Sequence, residues 1–272
     1  MTDPHPPRSP FLDAAGLSPL VLDAALGTRL IARGLLLDRD DPSLWNLTHP
    51  DEVTTVHALD LAAGARAVLT NTFGANRLWL DRFGRAAETA AINRRAAALA
   101  RAAAGPDYFV IGSIGPTAVG NPDDLREQAE ALAAGGVDAL LFETFRPDQA
   151  ATALAAILDL DRLPRIVSLL DVPAPDGASL RRLEDLGVAV LGGNCQAGMA
   201  AAVRAAERLR GLTRRPLWIK PAAGLPGAPP DTPEAFAAGV PRLLDHGVRF
   251  LGGCCGTTEA HVAALHAACY AR

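Results

Sequence analysis

Eight short apolar runs alternate along this chain with eight longer helical stretches, and no other feature restricts the fold as strongly. The apolar runs are near-continuous in Val, Ile, Leu and Phe, which is typical of parallel strands that are covered on both faces. They occupy residues 19–26, 67–73, 108–115, 139–145, 165–172, 188–195, 216–224 and 249–256. The predicted helices occupy residues 52–63, 85–103, 123–134, 148–158, 179–186, 199–209, 232–245 and 258–271.

Eight strand–helix units in a chain of this length predict an α/β fold, a single (β/α)8 TIM barrel. We expect residues 1–18 to form a flexible N-terminal segment and residues 19–272 to form the barrel domain. An open, doubly wound sheet is the alternative. It is disfavoured because the loop after the first strand, residues 23–28, reads DAALGT and lacks the glycine-rich pattern GxGxxG.

Charge and hydropathy exclude several classes of protein. The chain has 26 basic and 30 acidic residues, a net charge of −4, whereas nucleic-acid-binding domains carry a basic face. The N-terminus lacks a signal-peptide pattern, and no apolar run reaches the ~18 residues of a membrane span. We therefore expect a cytoplasmic protein with no nucleic-acid or membrane partner. In that reducing compartment the four cysteines are metal ligands, catalysts or core residues rather than disulfides.

Polar side chains interrupt the apolar runs near their carboxyl ends, where the catalytic face of a barrel lies. Asp23 and Glu143 are the most notable, because an unpaired buried carboxylate is costly. The full set is Asp23, Asn71, Thr72, Glu143, Thr144, Asn194, Cys195, Lys220, Cys254 and Cys255.

Three of the four cysteines fall at two of these strand ends. Cys195 ends the sixth run, and Cys254 and Cys255 end the eighth, which lies two strands away around a barrel. Adjacent side chains on a strand point to opposite faces, but the flanking glycines allow the chain to leave strand geometry there. Three thiolates suit Zn²⁺ with its fourth position open. Two alternatives remain at this stage: three small core residues, or a disulfide between neighbouring cysteines.

An open position on a thiolate-rich zinc suits a substrate thiol, which loses its proton on binding and becomes a nucleophile. Alkylation of a thiol is therefore the chemistry that the cysteines favour. Two carboxylates nearby suit a substrate that carries an α-amino group.

Seven motifs of this chain resemble those of the homocysteine S-methyltransferases, in the same order, from about residue 19 to residue 268. They are LDAALGT (22–28), TNTFGAN (70–76), GSIGPT (112–117), FETF (142–145), GGNC (192–195), KPAAGLP (220–226) and GGCCGTT (252–258). The resemblance implies a (β/α)8 barrel and an enzyme that methylates homocysteine to methionine. It also implies zinc on Cys195, Cys254 and Cys255, and binding of the amino-acid end of homocysteine by Asp23, Thr72 and Glu143.

The expected partners are homocysteine and a methyl donor, either a small molecule or a protein-bound corrinoid. NLTHP (46–50), TNTFGAN and the GLP of residues 224–226 look most like the homocysteine-binding module of cobalamin-dependent methionine synthase and its stand-alone bacterial relatives. Alternatives are the same chemistry on another thiol or a selenol, the acceptor step of a demethylation pathway, or a zinc-binding partner subunit without turnover. The oligomeric state is not predicted.

Some residues depart from the family pattern or stand outside it. Ala24 replaces a usual glycine, Ala222 replaces a frequent asparagine, and the fifth strand ends Ser-Leu-Leu-Asp at residues 168–171. Trp45 either lines the donor site, where it would favour a cationic donor, or packs on the barrel rim. The only lysine, Lys220, is a candidate partner for a substrate carboxylate. We expect Cys269 in the core, His261 and His266 in packing or surface positions, and Arg29, Arg33 and Arg126 in solvent.

Overall fold

Eight parallel strands form one sheet that curves into a barrel in the computed structural model, which describes residues 9–117, 122–160, 162–170, 177–223 and 230–270. Neighbouring strands follow the order β1-β8-β7-β6-β5-β4-β3-β2, and a bridge between Leu22 and Ala67 joins β1 to β2. The predicted (β/α)8 TIM barrel is therefore confirmed. The strands are β1 Leu20–Val21, β2 Ala67–Leu69, β3 Phe109–Ile114, β4 Ala139–Phe145, β5 Arg165–Leu170, β6 Val188–Ala197, β7 Leu217–Ala222 and β8 Val248–Leu251.

Helices follow the strands and cover the outside of the barrel. They are α1 Pro10–Leu17, α2 Leu26–Ala32, α3 Trp45–Thr48, α4 Pro50–Ala62, α5 Arg77–Asp81, α6 Thr89–Ala104, α7 Pro122–Ala134, α8 Pro147–Ala155, α9 Gly177–Asp185, α10 Gly198–Leu212, α11 Pro233–Ala237, α12 Val240–Asp245 and α13 Glu259–Tyr270. The helix predicted over residues 232–245 is two helices, α11 and α12. Pro241 explains the break, because it has no N–H to continue the hydrogen-bond ladder from α11.

Part of the N-terminal segment that we expected to be flexible is ordered instead. Residues 10–17 form α1, and its Phe11 is fully buried. The Phe11 ring lies 5.4 Å from the ring of Phe109 and 4.8 Å from that of Phe250, so it closes the amino-terminal end of the barrel. Burial of this apolar ring explains the order of the segment. Residues 1–8 lie outside the described residues.

Successive side chains along each strand alternate between two apolar layers, one inside the barrel and one between the barrel and the helices. Side chains such as Leu22, Leu141, Ile166 and Trp218 fill the barrel interior together with Phe11. Residues between them along the strands pack outward against the helices. The first and last strands of the chain, β1 and β8, are shorter than the predicted apolar runs, because the chain leaves strand geometry at Asp23 after β1 and at Gly252 after β8. Both turns lead into the carboxyl-terminal face.

Candidate active site

A cavity of about 340 Å³ opens at the carboxyl ends of the strands. All six residues predicted to bind metal or substrate line it: Asp23, Thr72, Glu143, Cys195, Cys254 and Cys255. They come from strands β1, β2, β4, β6 and β8 or from the loops directly after them. The barrel topology thus brings together side chains that are up to about 230 residues apart, as expected from their position at strand ends.

The three predicted metal ligands form one cluster of sulfur atoms. Cys195 Sγ lies 2.7 Å from Cys254 Sγ and 4.0 Å from Cys255 Sγ, and Cys254 Sγ lies 3.9 Å from Cys255 Sγ. All three cysteines are free thiols, and Cys255 is exposed. This exposure argues against a core role for the cluster. Cys269 lies elsewhere, buried in α13, as expected.

Two of the three sulfur–sulfur distances in the cluster match those of a tetrahedral metal site. Three sulfurs bound to one zinc at ~2.3 Å lie about 3.8 Å apart. Two of the observed separations, 3.9 and 4.0 Å, match that value, and the third, 2.7 Å, is well beyond the ~2.05 Å of a disulfide bond. The three residues would therefore hold one metal ion, and they line the cavity.

The protonation of the cluster also favours a cation. Hydrogen bonds from the thiols of Cys195 and Cys254 lower the pKa of Cys255 to about 3. The pKa of Cys254 is raised by its hydrogen bonds to the two other sulfurs and then by burial. The protein alone thus stabilises one negative charge on three sulfurs. Three thiolates at these distances need a positive ion between them.

Two non-glycine residues near the cluster adopt left-handed backbone conformations. The φ angle is 59° at Cys195 and 68° at Thr144. Each costs on the order of 1–2 kcal/mol, so the surrounding structure must enforce it. The side chain of Asn194 does so. Its Oδ1 accepts hydrogen bonds from Thr144 N at 3.1 Å and Ser168 Oγ at 2.7 Å, and its Nδ2 donates to Thr144 Oγ1 at 2.9 Å and Cys195 Sγ at 3.4 Å.

Two threonines hold the loop that carries Cys254 and Cys255, and the sequence analysis did not single them out. Thr257 Oγ1 accepts a hydrogen bond from Ala25 N at 3.0 Å and donates to the Cys254 carbonyl at 2.7 Å. Thr28 Oγ1 accepts from Gly256 N at 3.2 Å. Thr28 lies in the motif LDAALGT and Thr257 in GGCCGTT, so their place in these motifs could have indicated a role. These bonds dock the loop after β8 on the loop after β1.

The two predicted carboxylates lie on the same cavity in different hydrogen-bond environments. Asp23 accepts from Leu69 N at 2.7 Å and forms an ion pair with Lys220, both side chains being buried. Glu143 Oε1 accepts from Ser113 Oγ. Among the described residues no donor reaches Glu143 Oε2. Burial raises the pKa of Glu143, although Lys220 and Ser113 partly offset this effect. Glu143 is therefore the carboxylate with an oxygen available to a ligand.

Thr72 is fully buried and contributes one acceptor, its hydroxyl oxygen, to the cavity wall. Its hydroxyl donates to the Ser113 carbonyl at 2.6 Å and lies 2.6 Å from Thr70 Oγ1. Because its own proton is used in this way, Thr72 Oγ1 faces other groups as an acceptor. Gln128 Nε2 holds the Thr72 carbonyl at 2.6 Å. The wall beside Glu143 is thus suited to a donor such as an ammonium group.

Trp45 packs within the protein rather than on the described cavity wall. It is 4% exposed, stacks on His49 at 4.2 Å and donates from Nε1 to Asp40 Oδ2 at 3.0 Å. The packing alternative for Trp45 is therefore the one observed. Phe73, which was not singled out, is 46% exposed and is the aromatic side chain among the described lining residues.

The residues that depart from the family pattern differ in their distance from the cavity. Ala24 lines the cavity, whereas Ala222 is buried beside Ala197 and is not among the described lining residues. Asp171 lies outside the described residues. The expectation that Arg29 is solvated is wrong, because Arg29 is buried and binds the Asp60 carboxylate through both terminal nitrogens, Nη1 at 2.7 Å. In the part of the chain described, no helix is both long and apolar enough to cross a membrane.

Comparisons with known proteins agree with this geometry. The family model described as homocysteine S-methyltransferase matches residues 20–269. The methionine synthase of Mycobacterium tuberculosis (strain ATCC 25618 / H37Rv) is 32% identical over 98% of this chain, which spans 26% of that protein's length. S-methylmethionine–homocysteine S-methyltransferase BHMT2 of Pongo abelii is 28% identical over 82% of this chain and 71% of its own length.

Solved structures show the same similarity. The metallated form of the homocysteine methyltransferase MmuM from Escherichia coli superposes with a TM-score of 0.79 at 27% identity. The match covers 92% of this chain and 96% of MmuM. This chain spans about a quarter of the length of the mycobacterial methionine synthases and nearly the full length of MmuM.

Proposed function

Since this chain belongs to the homocysteine S-methyltransferase family and has the family's enzyme fold, we propose that it methylates homocysteine to methionine with Zn²⁺ on its cysteine cluster. One observation carries the proposal. Three cysteine sulfurs that lie within 4.8 Å of one another border a cavity that also holds Asp23, Glu143 and Thr72. The cavity therefore pairs a thiol-binding end with an amine-binding end, which are the two ends of homocysteine.

Cys195, Cys254 and Cys255 would hold the metal. Bound zinc would supply the Lewis acidity that lowers the pKa of a substrate thiol and so favours its nucleophilic thiolate at neutral pH. Asn194 donates to the Cys195 sulfur, and Thr257 and Thr28 hold the backbone of the loop that carries Cys254 and Cys255. Such preorganisation is what positions a nucleophile.

At the other end, Glu143 is the first acceptor for the α-ammonium group, through the carboxylate oxygen that has no donor among the described residues. Asp23 and the Thr72 hydroxyl oxygen add acceptors around it. Because burial raises the pKa of Glu143, a cationic ligand group also stabilises the ionised form of this carboxyl. The amino-acid end is thereby held while the sulfur end points to the cysteines.

The methyl donor is either a small molecule or a protein-bound corrinoid. The name of the relative from Pongo abelii includes S-methylmethionine, and the mycobacterial relatives are named methionine synthase. The exposed ring of Phe73 borders the cavity and would contact a donor that enters from solvent; an aromatic face favours a cationic methyl group. Action on another thiol or a selenol, and a zinc-binding subunit without turnover, are the alternatives that remain if homocysteine yields no methionine with any donor.

The test combines metal analysis with a donor screen on zinc-loaded protein. Homocysteine is offered with S-methylmethionine, S-adenosylmethionine, betaine, methyl-tetrahydrofolate or a methylated corrinoid, and methionine is measured. We expect about one zinc per chain and methionine from at least one donor. Cys255→Ser should lose both, whereas Cys269→Ala, a matched control in α13, should keep both. Tight zinc binding without methionine from any donor would contradict the proposal.

A further inference from the structure

Lys220 borders the cavity, and the reaction described above gives it no role. It lies on β7 with a side chain that is only 5% exposed, and it forms an ion pair with the 1% exposed Asp23. It is the only lysine of the chain and the only cationic side chain among the described residues that line the cavity. Burial of an ammonium group costs free energy unless its partners compensate the lost hydration, so a lysine at this position indicates a specific role.

The partners of Lys220 leave part of its hydrogen-bonding capacity unused. An ammonium group has three protons to donate. Among the described residues its hydrogen-bond acceptor is Asp23 Oδ1, and the other Asp23 oxygen accepts from Leu69 N. Burial alone would lower the pKa of Lys220, but the charges of Asp23 and Glu143 outweigh burial and raise it. Lys220 is therefore a stable cation, and two of its three protons have no acceptor among the described residues.

The charges around the cavity define what kind of ligand fits. Asp23 and Glu143 attract an ammonium group but repel the carboxylate that an α-amino acid carries on the same carbon. Lys220 forms an ion pair with Asp23, lines the same cavity as Glu143 and supplies the opposite charge. Together the three side chains present the two signs that a zwitterion needs.

We propose that Lys220 binds the α-carboxylate of the thiol substrate and so selects an amino-acid thiol over thiols that lack this group. The inference rests on the proposed function, because it assigns the amino-acid end of the same cavity. It makes Lys220 a specificity-determining residue, in addition to its ion pair with Asp23. A role confined to balancing the charge of Asp23 predicts no such selection, and the two roles differ in measurable ways.

Thiol affinity measured by calorimetry on the zinc-loaded protein separates them. The ligands are homocysteine, 3-aminopropane-1-thiol, which lacks the α-carboxylate, and 4-sulfanylbutanoate, which lacks the α-amino group. We expect Lys220→Gln to weaken homocysteine binding by roughly 10- to 100-fold, which corresponds to the loss of one charged hydrogen bond. The affinity for 3-aminopropane-1-thiol should change by less than about 3-fold. Lys220→Arg should retain most of the preference. Glutamine keeps a donor for Asp23, and zinc content with the thermal midpoint verifies folding.

Ser113→Ala is the matched control, because it removes the donor to Glu143 and leaves Lys220 in place. It should affect homocysteine and 3-aminopropane-1-thiol alike. Equal weakening of both thiols by Lys220→Gln would overturn the role of Lys220 and leave the proposed function intact. Failure of the wild-type protein to bind any of the three thiols would overturn the proposed function, and the role of Lys220 with it.

A direct readout needs no variant. Because the chain has a single lysine, protein grown with [¹⁵N]lysine has one side-chain ammonium resonance. Homocysteine and 4-sulfanylbutanoate should shift this resonance clearly more than 3-aminopropane-1-thiol does. A resonance that stays in place at saturating homocysteine would contradict contact between Lys220 and the carboxylate.

Discussion

The side-chain amide of Asn194 hydrogen-bonds to both the backbone N–H and the hydroxyl of Thr144, although 50 residues separate them. The two residues lie on β6 and β4, and Ser168 of the intervening strand β5 donates to the same Asn194 oxygen. Asn194 immediately precedes Cys195 and donates to its sulfur. One side chain thus links residues of three strands to a predicted metal ligand.

Removal of the Asn194 amide should loosen the metal site without removing a ligand. We expect Asn194→Ala to lower zinc affinity by roughly 10- to 100-fold, as changes behind a metal ligand usually do. Competition with a chromogenic chelator measures it. Ser168→Ala, which removes one of the four bonds of Asn194, should have a smaller effect in the same direction. An unchanged zinc affinity in Asn194→Ala would show that the cysteine backbone holds its conformation unaided.

Gly253 is required because Thr257 packs against it. A Cβ atom at residue 253 would lie 2.6 Å from Thr257 Cβ, closer than packed carbon atoms can approach. Gly253→Ala should therefore cost about 1–3 kcal/mol of unfolding free energy and displace Thr257 from the Cys254 carbonyl, with weaker zinc binding. Denaturant unfolding and zinc content measure both. Gly211→Ala, whose Cβ meets nothing within 4 Å, is the control and should lose neither.

Homocysteine binding should depend on pH through Glu143. The pKa of this carboxyl is raised by burial in the free protein, and the bound ammonium requires the ionised form. Binding therefore costs a deprotonation below the raised pKa and none above it, so affinity rises with pH until it levels off at the raised pKa, which lies above the ordinary carboxyl value. Calorimetry in buffers of different ionisation enthalpy should show fewer protons released by Glu143→Gln than by the wild type. Equal proton release would exclude this linkage.

The buried pair of Arg29 and Asp60 should contribute to stability far more than the surface pairs. Arg29→Met leaves the Asp60 carboxylate buried without its partner, and we expect a loss of about 3–5 kcal/mol in unfolding free energy. Arg33→Met is the matched control, since Arg33 pairs with the half-exposed Glu52, and its cost should stay within about 1 kcal/mol. Similar losses in both variants would contradict the assignment.

The barrel and the residues of the site followed from pattern, because the topology carries every strand end to one face. Asp23, Glu143 and the three cysteines could be grouped from their positions alone. Their partners could not. Lys220 and Asp23 are 197 residues apart, and no periodicity pairs two particular strand ends. The left-handed backbone conformation of Thr144 and Cys195 could not be predicted either, because neither threonine nor cysteine favours it.

Arg29 and Phe11 show a second limit of pattern. An arginine in an arginine-rich chain is expected in solvent, and only the packing of α2 on α4 places Asp60 opposite Arg29. Similarly, one phenylalanine near a polar terminus does not predict a helix that closes a barrel. In both cases long-range contacts determine whether the residue is buried, and local sequence propensity does not predict such contacts.

The docking of the loop after β8 on the loop after β1 has a consequence for the biosynthesis of the protein. Ala25 and Thr257 are 232 residues apart, and Thr28 and Gly256 are 228 apart. A nascent chain emerges from the ribosome amino-terminus first, so the first strand leaves long before its partner loop exists. Two of the three predicted ligands belong to that late loop. A metal ion that needs all three sulfurs would therefore bind only after the loop after β8 has been made and has docked on the loop after β1.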